Sequence, residues 1–180
     1  MNEIEILHYG STTVGLMAID RSLPPRQAER AAAVAVASEL LQRPVTIDHH
    51  ADGAPFIADY HGSLSISHSR STVAVAIDPV RTIGIDIEER ERAHRMPQLA
   101  PRVLTSTEIA TYTVAEELLR AWTLKEAAYK AARAGVDFLH DIHLPCDGSR
   151  RITAAAATAA VDILTSDPHG PLILSLVYLR

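Results

Sequence analysis

The stretch Ile83-Gly84-Ile85-Asp86-Ile87-Glu88 alternates isoleucine with glycine or a carboxylate. Because successive side chains of a β-strand point to opposite faces, this period of two predicts a strand with its isoleucines in the core and Asp86 and Glu88 together on the other face. Two carboxylates beside a glycine that admits a close neighbour suit Mg²⁺, which prefers one or two carboxylates with waters and substrate phosphate. A solvated strand face is the alternative interpretation.

Downstream, the stretch Trp122-Thr123-Leu124-Lys125-Glu126-Ala127-Ala128-Tyr129-Lys130 predicts a helix with two distinct faces. Trp122, Glu126 and Lys130 are four residues apart and share one stripe, whereas leucine and alanine line the opposite side. With the apolar side in the core, Glu126 is free to act as a third metal ligand or as a base, and Lys130 is free to meet a phosphate. The alternative is a surface ion pair between these two residues, worth roughly 0.2–0.5 kcal/mol.

Upstream, the segment Ser65-Ile66-Ser67-His68-Ser69 closes a strand predicted at Ser63–Ser67. Hydroxyls and an imidazole at a strand end are suited to hydrogen-bonding a phosphate. A nucleophile role is less favoured, because no glycine pattern of a nucleophile elbow surrounds these serines. A surface histidine is the alternative interpretation of His68.

The order of predicted elements divides the chain into two successive helix-and-sheet halves, residues 1–80 and 81–180, which is typical of an α+β fold. Proline signals bound the first helix, and a capping box at Thr105–Glu108 precedes the second. The predicted helices are Arg26–Gln42 and Val114–Ala134. The predicted strands are Val45–Ile47, Ser63–Ser67, Val73–Ile77, Thr82–Glu88, Arg151–Ala155, Ala159–Leu164 and Leu172–Leu179, with a turn at Asp167–Gly170.

Composition excludes several classes of protein. Lys and Arg total 17 against 22 for Asp and Glu, a formal charge of −5, so we expect neither nucleic acid nor an anionic membrane surface as a partner. Cys146 is the only cysteine, which excludes an intramolecular disulfide and a multi-cysteine zinc site. The first ten residues contain Glu3 and Glu5 but no Lys or Arg, unlike a signal peptide, and the expected compartment is the cytoplasm.

Taken together, the segments resemble the surfactin-type family of 4′-phosphopantetheinyl transferases, which move the phosphopantetheine arm of coenzyme A onto a carrier-protein serine. The family's hydrophobic-Gly-hydrophobic-Asp-x-Glu pattern is similar to residues 83–88, and its aromatic-[Ser/Cys/Thr]-x-Lys-Glu-[Ala/Ser]-x-x-Lys pattern is similar to residues 122–130. The segment Ser65–Ser69 resembles the family's Ser-His element, and Val103–Glu108 resembles its Phe-Ser-x-x-Glu element. Each motif alone is weak, but their order makes coincidence improbable.

The resemblance implies a monomer of two similar helix-plus-antiparallel-sheet subdomains, related by a pseudo-twofold, with coenzyme A in the cleft between them. It also implies Mg²⁺, with Mn²⁺ as an alternative, and an apo acyl or peptidyl carrier protein as partner. Glu126, or a water it orients, would take the proton of the carrier serine, and 3′,5′-ADP would leave. By position, the implied metal ligands are Asp86, Glu88 and Glu126, and the implied phosphate and cofactor contacts are Lys130, Ser67, His68, Arg26 and Arg30.

Two features of the sequence bear on specificity. The family's Gly-Lys-Pro turn is Gly53-Ala54-Pro55 here, so one lysine contact to the cofactor is missing, which implies weaker coenzyme A binding or compensation by an arginine. Basic residues in and beside the second motif predict a patch for acidic carriers, formed by Arg120, Lys125, Lys130 and Arg133.

Two other functions stay open. A non-catalytic module that binds carriers or coenzyme A would bind without giving product. An unrelated Mg²⁺-dependent phosphotransferase or hydrolase is disfavoured, because the sequence has no glycine-rich phosphate loop of the Walker type.

Overall fold

The computed structural model describes residues 3–132, 136–147, 149, 151–154 and 160–180. Its first half is an antiparallel sheet with one helix and a small ribbon. The sheet has the order β1-β2-β6-β5, and α1 packs against β2 and β6. The elements of this half are β1 (Ile4–Tyr9), β2 (Thr12–Ala18), α1 (Pro25–Leu40), the ribbon strands β3 (Asp48–His49) and β4 (Pro55–Phe56), β5 (Ser63–His68) and β6 (Thr72–Asp78).

The second half repeats this plan with a longer helix on a second antiparallel sheet. Its strands have the order β7-β11-β10-β9-β8, and α4 packs on β7 and β11. The elements are β7 (Ile83–Glu89), α2 (Met96–Leu99), α3 (Ser106–Thr111), α4 (Ala115–Ala132), β8 (Ile142–His143), β9 (Arg151–Ala154), β10 (Ala160–His169) and β11 (Leu172–Leu179), with short 3₁₀ segments at Arg90–Arg95 and Ala100–Arg102. The mixture of helices and antiparallel sheets confirms the α+β prediction.

The two sheets meet along the edges formed by β5 and β7. Among the described residues β7 forms backbone pairs with β11 alone, so the N–H groups on its other side need other partners. Serine hydroxyls of β5 supply them, because the N–H groups of Ile83, Ile85 and Ile87 donate to Ser63, Ser65 and Ser67 Oγ at 3.1, 3.0 and 3.2 Å. The alternating serines therefore face the other half of the molecule and not solvent.

Three local predictions are wrong. Val45–Ile47 is not a strand, and the ribbon strand β3 begins after it. The predicted turn at Asp167–Gly170 is too long, because β10 continues to His169. In the described part of the chain β9 pairs with Ala160–Asp162 alone, so the later part of β10 lies at an edge there, where Pro168, which has no N–H group, is tolerated.

The third wrong prediction concerns the order of elements, because the predicted elements start with the helix Arg26–Gln42 and include no strand before it. The chain starts with the hairpin β1–β2, which turns at Gly10 with a φ of +65°. The predicted end of the second helix, at Gly135, lies outside the described residues. No helix among the described residues is long and apolar enough to cross a membrane.

Candidate active site

Gly84 sets the distance between β7 and α4. A Cβ atom at this position would lie 1.9 Å from the carbonyl oxygen of Ala127 and 2.8 Å from the Ala131 nitrogen, both of which are backbone atoms. The close neighbour predicted beside Gly84 is therefore helix α4. The isoleucines of β7 are buried as predicted, with Ile83, Ile85 and Ile87 at most 2% exposed. Glu126 and Lys130 are thereby brought over the acidic face of the strand.

Asp86 is buried and hydrogen-bonded at one oxygen. Lys130 Nζ lies 2.7 Å from Asp86 Oδ1 and also donates to the Ile85 carbonyl at 3.1 Å. Ser67 Oγ donates to the same Oδ1 at 2.7 Å. Because Asp86 is only 6% exposed, the interpretation of this strand face as solvated is excluded for this residue.

Glu88 is the second carboxylate of the pair, and its two oxygens differ. Arg92 forms an ion pair with Oε1, whereas Oε2 is buried and accepts no hydrogen bond from the described residues. Burial raises the pKa of Glu88, although Arg92 acts in the opposite direction. A buried carboxylate oxygen without a donor is costly, so this oxygen is suited to a ligand.

Glu126 faces the same region from α4 and is half-buried. No hydrogen bond or ion pair to its carboxylate occurs among the described residues, in contrast to Asp86. Burial and then the neighbouring Asp86 carboxylate raise the pKa of Glu126, while Lys130 lowers it. A carboxylate with a raised pKa accepts a proton more readily at the working pH, which is the property of a general base.

A cleft of about 290 Å³ collects these side chains. It is lined from β5, β7 and α4, and the predicted stripe Trp122, Glu126 and Lys130 faces it. His68 lines this cleft and also a second groove of about 560 Å³ that runs beside α1. Its Nδ1 lies 3.7 Å from Glu29 Oε1.

The two arginines expected at the cofactor have different positions. Arg30 lines the groove that contains His68 and also a further groove along α1. Arg26 lines only the latter. The Gly53–Pro55 turn borders the first groove as well and brings no lysine there, because residue 54 is alanine. Of the two predicted arginines, Arg30 is therefore the one that shares a groove with His68 and this turn.

The donor set of the cleft fits a hard divalent cation in its chemistry. Asp86, Glu88 and Glu126 offer carboxylate oxygens, and Glu88 Oε2 is buried without a donor among the described residues. As they stand, no three His, Cys, Asp or Glu side chains of the described residues surround one metal position. Lys130 and Arg92 instead lie against the first two carboxylates.

Sequence reasoning misplaced one basic residue and missed another. Lys125, predicted in a carrier-binding patch, is 0% exposed and lies 3.3 Å from Glu108 Oε2, so that part of the patch is wrong. Arg133 lies outside the described residues. Arg92 was not singled out, and only its spacing of four residues from Glu88 could have suggested the pair. Ser67 was expected at the cofactor, and its hydroxyl is bonded to Asp86.

Comparison with known proteins agrees with the resemblance at the level of the superfamily. The chain is similar to the 4′-phosphopantetheinyl transferase HetI of Nostoc sp. (strain PCC 7120 / SAG 25.82 / UTEX 2576), with 28% identity over 128 residues, covering 62% of this chain and 53% of that protein. The chain thus spans about half the length of this curated relative. The segment 82–169, which carries all three carboxylates and Lys130, matches the model of the 4′-phosphopantetheinyl transferase superfamily.

Proposed function

We propose that this protein transfers the 4′-phosphopantetheine arm of coenzyme A to a serine of an apo acyl or peptidyl carrier protein and releases 3′,5′-ADP. The observation that carries the proposal is the convergence of Asp86, Glu88, Glu126 and Lys130, from β7 and α4, in one cleft. This convergence lies in the segment that matches the transferase superfamily. We also propose the surfactin-type subgroup and the division into residues 1–80 and 81–180, supported by the two sheets that each carry one helix.

Coenzyme A would lie across the cleft and the neighbouring groove. Lys130 and His68 would bind the pyrophosphate, and Arg30 would bind the phosphate on the ribose, since a guanidinium suits bidentate phosphate binding. His68 supports this path because it lines both cavities. Asp86, Glu88 and Glu126 would hold Mg²⁺, which when bound supplies charge neutralisation at the pyrophosphate.

Glu126 and Lys130 would handle the proton of the carrier serine and the negative charge of the transition state. The serine oxygen of the carrier attacks the phosphorus that bears the pantetheine arm, and the bond from that phosphorus to the bridging oxygen breaks. The serine proton passes to Glu126, directly or through a water, because the Glu126 carboxylate faces the cleft and accepts no hydrogen bond from the described residues. The Lys130 ammonium offsets negative charge on the phosphoryl oxygens in the transition state. The electron pair of the broken bond stays on the bridging oxygen, which leaves as part of the 5′-phosphate of 3′,5′-ADP.

Intact-protein mass spectrometry of an apo carrier with coenzyme A, Mg²⁺ and this protein tests the proposal. We expect the carrier to gain the mass of one phosphopantetheine arm, and Glu126→Gln and Asp86→Asn to slow transfer by at least about 10²-fold. Glu116→Gln is the matched control, because Glu116 lies on the same helix but pairs with Arg90 at the surface. Binding of coenzyme A without product on any carrier would instead support the non-catalytic module.

A further inference from the structure

Ser67 is the one serine of the β5 edge whose hydroxyl makes two different contacts in the described structure. Its Oγ accepts the Ile87 N–H at 3.2 Å and donates to Asp86 Oδ1 at 2.7 Å. The side chain is buried, with the residue 5% exposed. The Ser67 hydroxyl, in the first half of the molecule, is therefore hydrogen-bonded to the Asp86 carboxylate in the second half.

Comparison with the neighbouring Ser65 shows which of the two Ser67 contacts is specific to Ser67. Its Oγ accepts the Ile85 N–H at 3.0 Å, and the residue is 4% exposed, so its burial and its role at the sheet edge match those of Ser67. It donates to no carboxylate among the described residues. Joining the sheet edges thus needs only the accepting lone pair of a serine, and the bond to Asp86 is an additional feature of Ser67.

The bond to Asp86 restricts how that carboxylate turns. Ser67 and Lys130 both bind Oδ1, from β5 and from α4, so rotation of the carboxylate would break two hydrogen bonds at once. Oδ2 has no hydrogen-bond partner among the described residues and stays available. Hydrogen-bonded partners of ligating carboxylates orient them, and their loss typically costs about 10–100-fold in metal affinity or activity.

We propose that Ser67 is a positioning residue that fixes the Asp86 carboxylate for a divalent cation, and that it does not contact coenzyme A with its hydroxyl. This inference rests on the proposed function, because it takes Asp86 as a ligand. Ser67 precedes the segment that matches the transferase superfamily, so the first half of the chain contributes to the cation site through this residue.

Mn²⁺ titration followed by electron paramagnetic resonance, without coenzyme A, tests the role directly. We expect Ser67→Ala to raise the Kd for Mn²⁺ about 10-fold, whereas Ser65→Ala leaves it within about 2-fold. Both variants should lower the urea midpoint of unfolding, because each removes one acceptor for a β7 N–H. Ser67→Thr keeps the hydroxyl and should restore Mn²⁺ binding. In transfer assays, Ser67→Ala should require more Mg²⁺ for half-maximal rate, with the KM for coenzyme A unchanged.

The outcomes separate this inference from the proposed function. Equal Mn²⁺ affinity of Ser67→Ala and Ser65→Ala, with transfer intact in the wild type, would overturn the positioning role and leave the transferase standing. An increased KM for coenzyme A in Ser67→Ala, with unchanged Mn²⁺ affinity, would show a direct cofactor contact instead. A wild-type protein that neither binds Mn²⁺ nor transfers the arm would overturn both.

Discussion

Charge balance in the cleft distinguishes Glu126 from the other two carboxylates. Asp86 has Lys130 at 2.7 Å and Glu88 has Arg92, so two cations face three carboxylates and one negative charge is left over. Removing one partner of a buried ion pair is destabilising because the remaining charge has lost its solvent. Asp86 and Glu88 therefore each have a cation as partner, while the Glu126 carboxylate has neither an ion pair nor a hydrogen bond among the described residues. Burial raises the pKa of both Glu88 and Glu126.

Asp78 shows what a fully bonded carboxylate does elsewhere in the molecule. The residue is 0% exposed, and its two oxygens accept hydrogen bonds from Thr12 and Ser11 hydroxyls and from the N–H groups of Val80 and Arg81. Burial alone would raise the pKa of Asp78, but these hydrogen bonds outweigh it and hold the pKa below the ordinary 3.8. Asp78 thus ties the connection between the two halves to the first hairpin.

Asp78→Asn should lower the free energy of unfolding at pH 7 by about 2 kcal/mol, because hydrogen bonds to a charged acceptor are lost. A depressed native pKa gives stability that is fully present above pH 3.8 and is lost as the pH falls toward the native pKa. Urea midpoints of the variant and the wild type, measured from pH 7 to pH 2.5, should therefore draw closer together below pH 3.8. A difference that stays constant across this range would contradict the assignment to the Asp78 charge.

Contact between β7 and α4 is the element-level feature on which the site depends. Gly84→Ala would place a Cβ against the backbone of Ala127, so α4 must move away from the strand. We expect a loss of about 3 kcal/mol in the free energy of unfolding, at the upper end of overpacking effects. Transfer should also slow, because Glu126 and Lys130 move with the helix. Urea denaturation and transfer kinetics measure the two effects.

Gly170→Ala is the matched control for this prediction. Gly170 has a φ of +57° in the turn before β11, and a Cβ there would meet nothing within 4 Å. The substitution should cost about 1 kcal/mol through backbone strain and leave transfer unchanged. A Gly84→Ala variant that resembled Gly170→Ala in both measurements would show that α4 does not depend on the close approach.

The period of the sequence predicted β7 and α4 because each carries its apolar side chains on one face and the side chains of the cleft on another. Alternating isoleucines defined the face of β7, and the four-residue spacing of Trp122, Glu126 and Lys130 defined the cleft side of α4. The capping box of α3 was also predicted from the sequence and is confirmed, because the side chains of Thr105 and Glu108 accept hydrogen bonds from each other's backbone N–H groups. Local patterns were sufficient wherever a residue's environment came from its own element.

Tertiary partners set the environments that local patterns did not predict. The helical pattern predicted Lys125 as a surface cation. Its ammonium is instead buried, where it pairs with Glu108 of α3 and lies over the Phe138 ring. Burial lowers the pKa of Lys125, and Glu108 acts in the opposite direction. The bonds of Ser67 to Asp86 and to the Ile87 N–H likewise depend on β7 lying beside β5. Such contacts between distant segments leave no period in the sequence.

The core of the molecule is continuous between the two halves. One cluster of buried residues contains Val14, Leu16, Ala74 and Ala76 of the first sheet together with isoleucines and leucines of β7 and β11. Two further clusters lie under α1 and under α4. Since the shared cluster and the serine contacts of β5 both cross between the sheets, neither half can unfold without exposing apolar surface of the other.

Unfolding should therefore be a single transition, and a destabilising substitution in one half should lower the urea midpoint of both halves. Val36→Ala tests this, because Val36 is 0% exposed and belongs to a cluster formed entirely by the first half. Trp122, the only tryptophan, lies in the second half and reports its unfolding by fluorescence. We expect Val36→Ala to lower stability by about 2 kcal/mol, through lost burial and a cavity. The fluorescence and far-UV circular dichroism midpoints in urea should shift together. A dichroism transition that moves to lower urea while the Trp122 signal stays in place would show that the halves unfold independently.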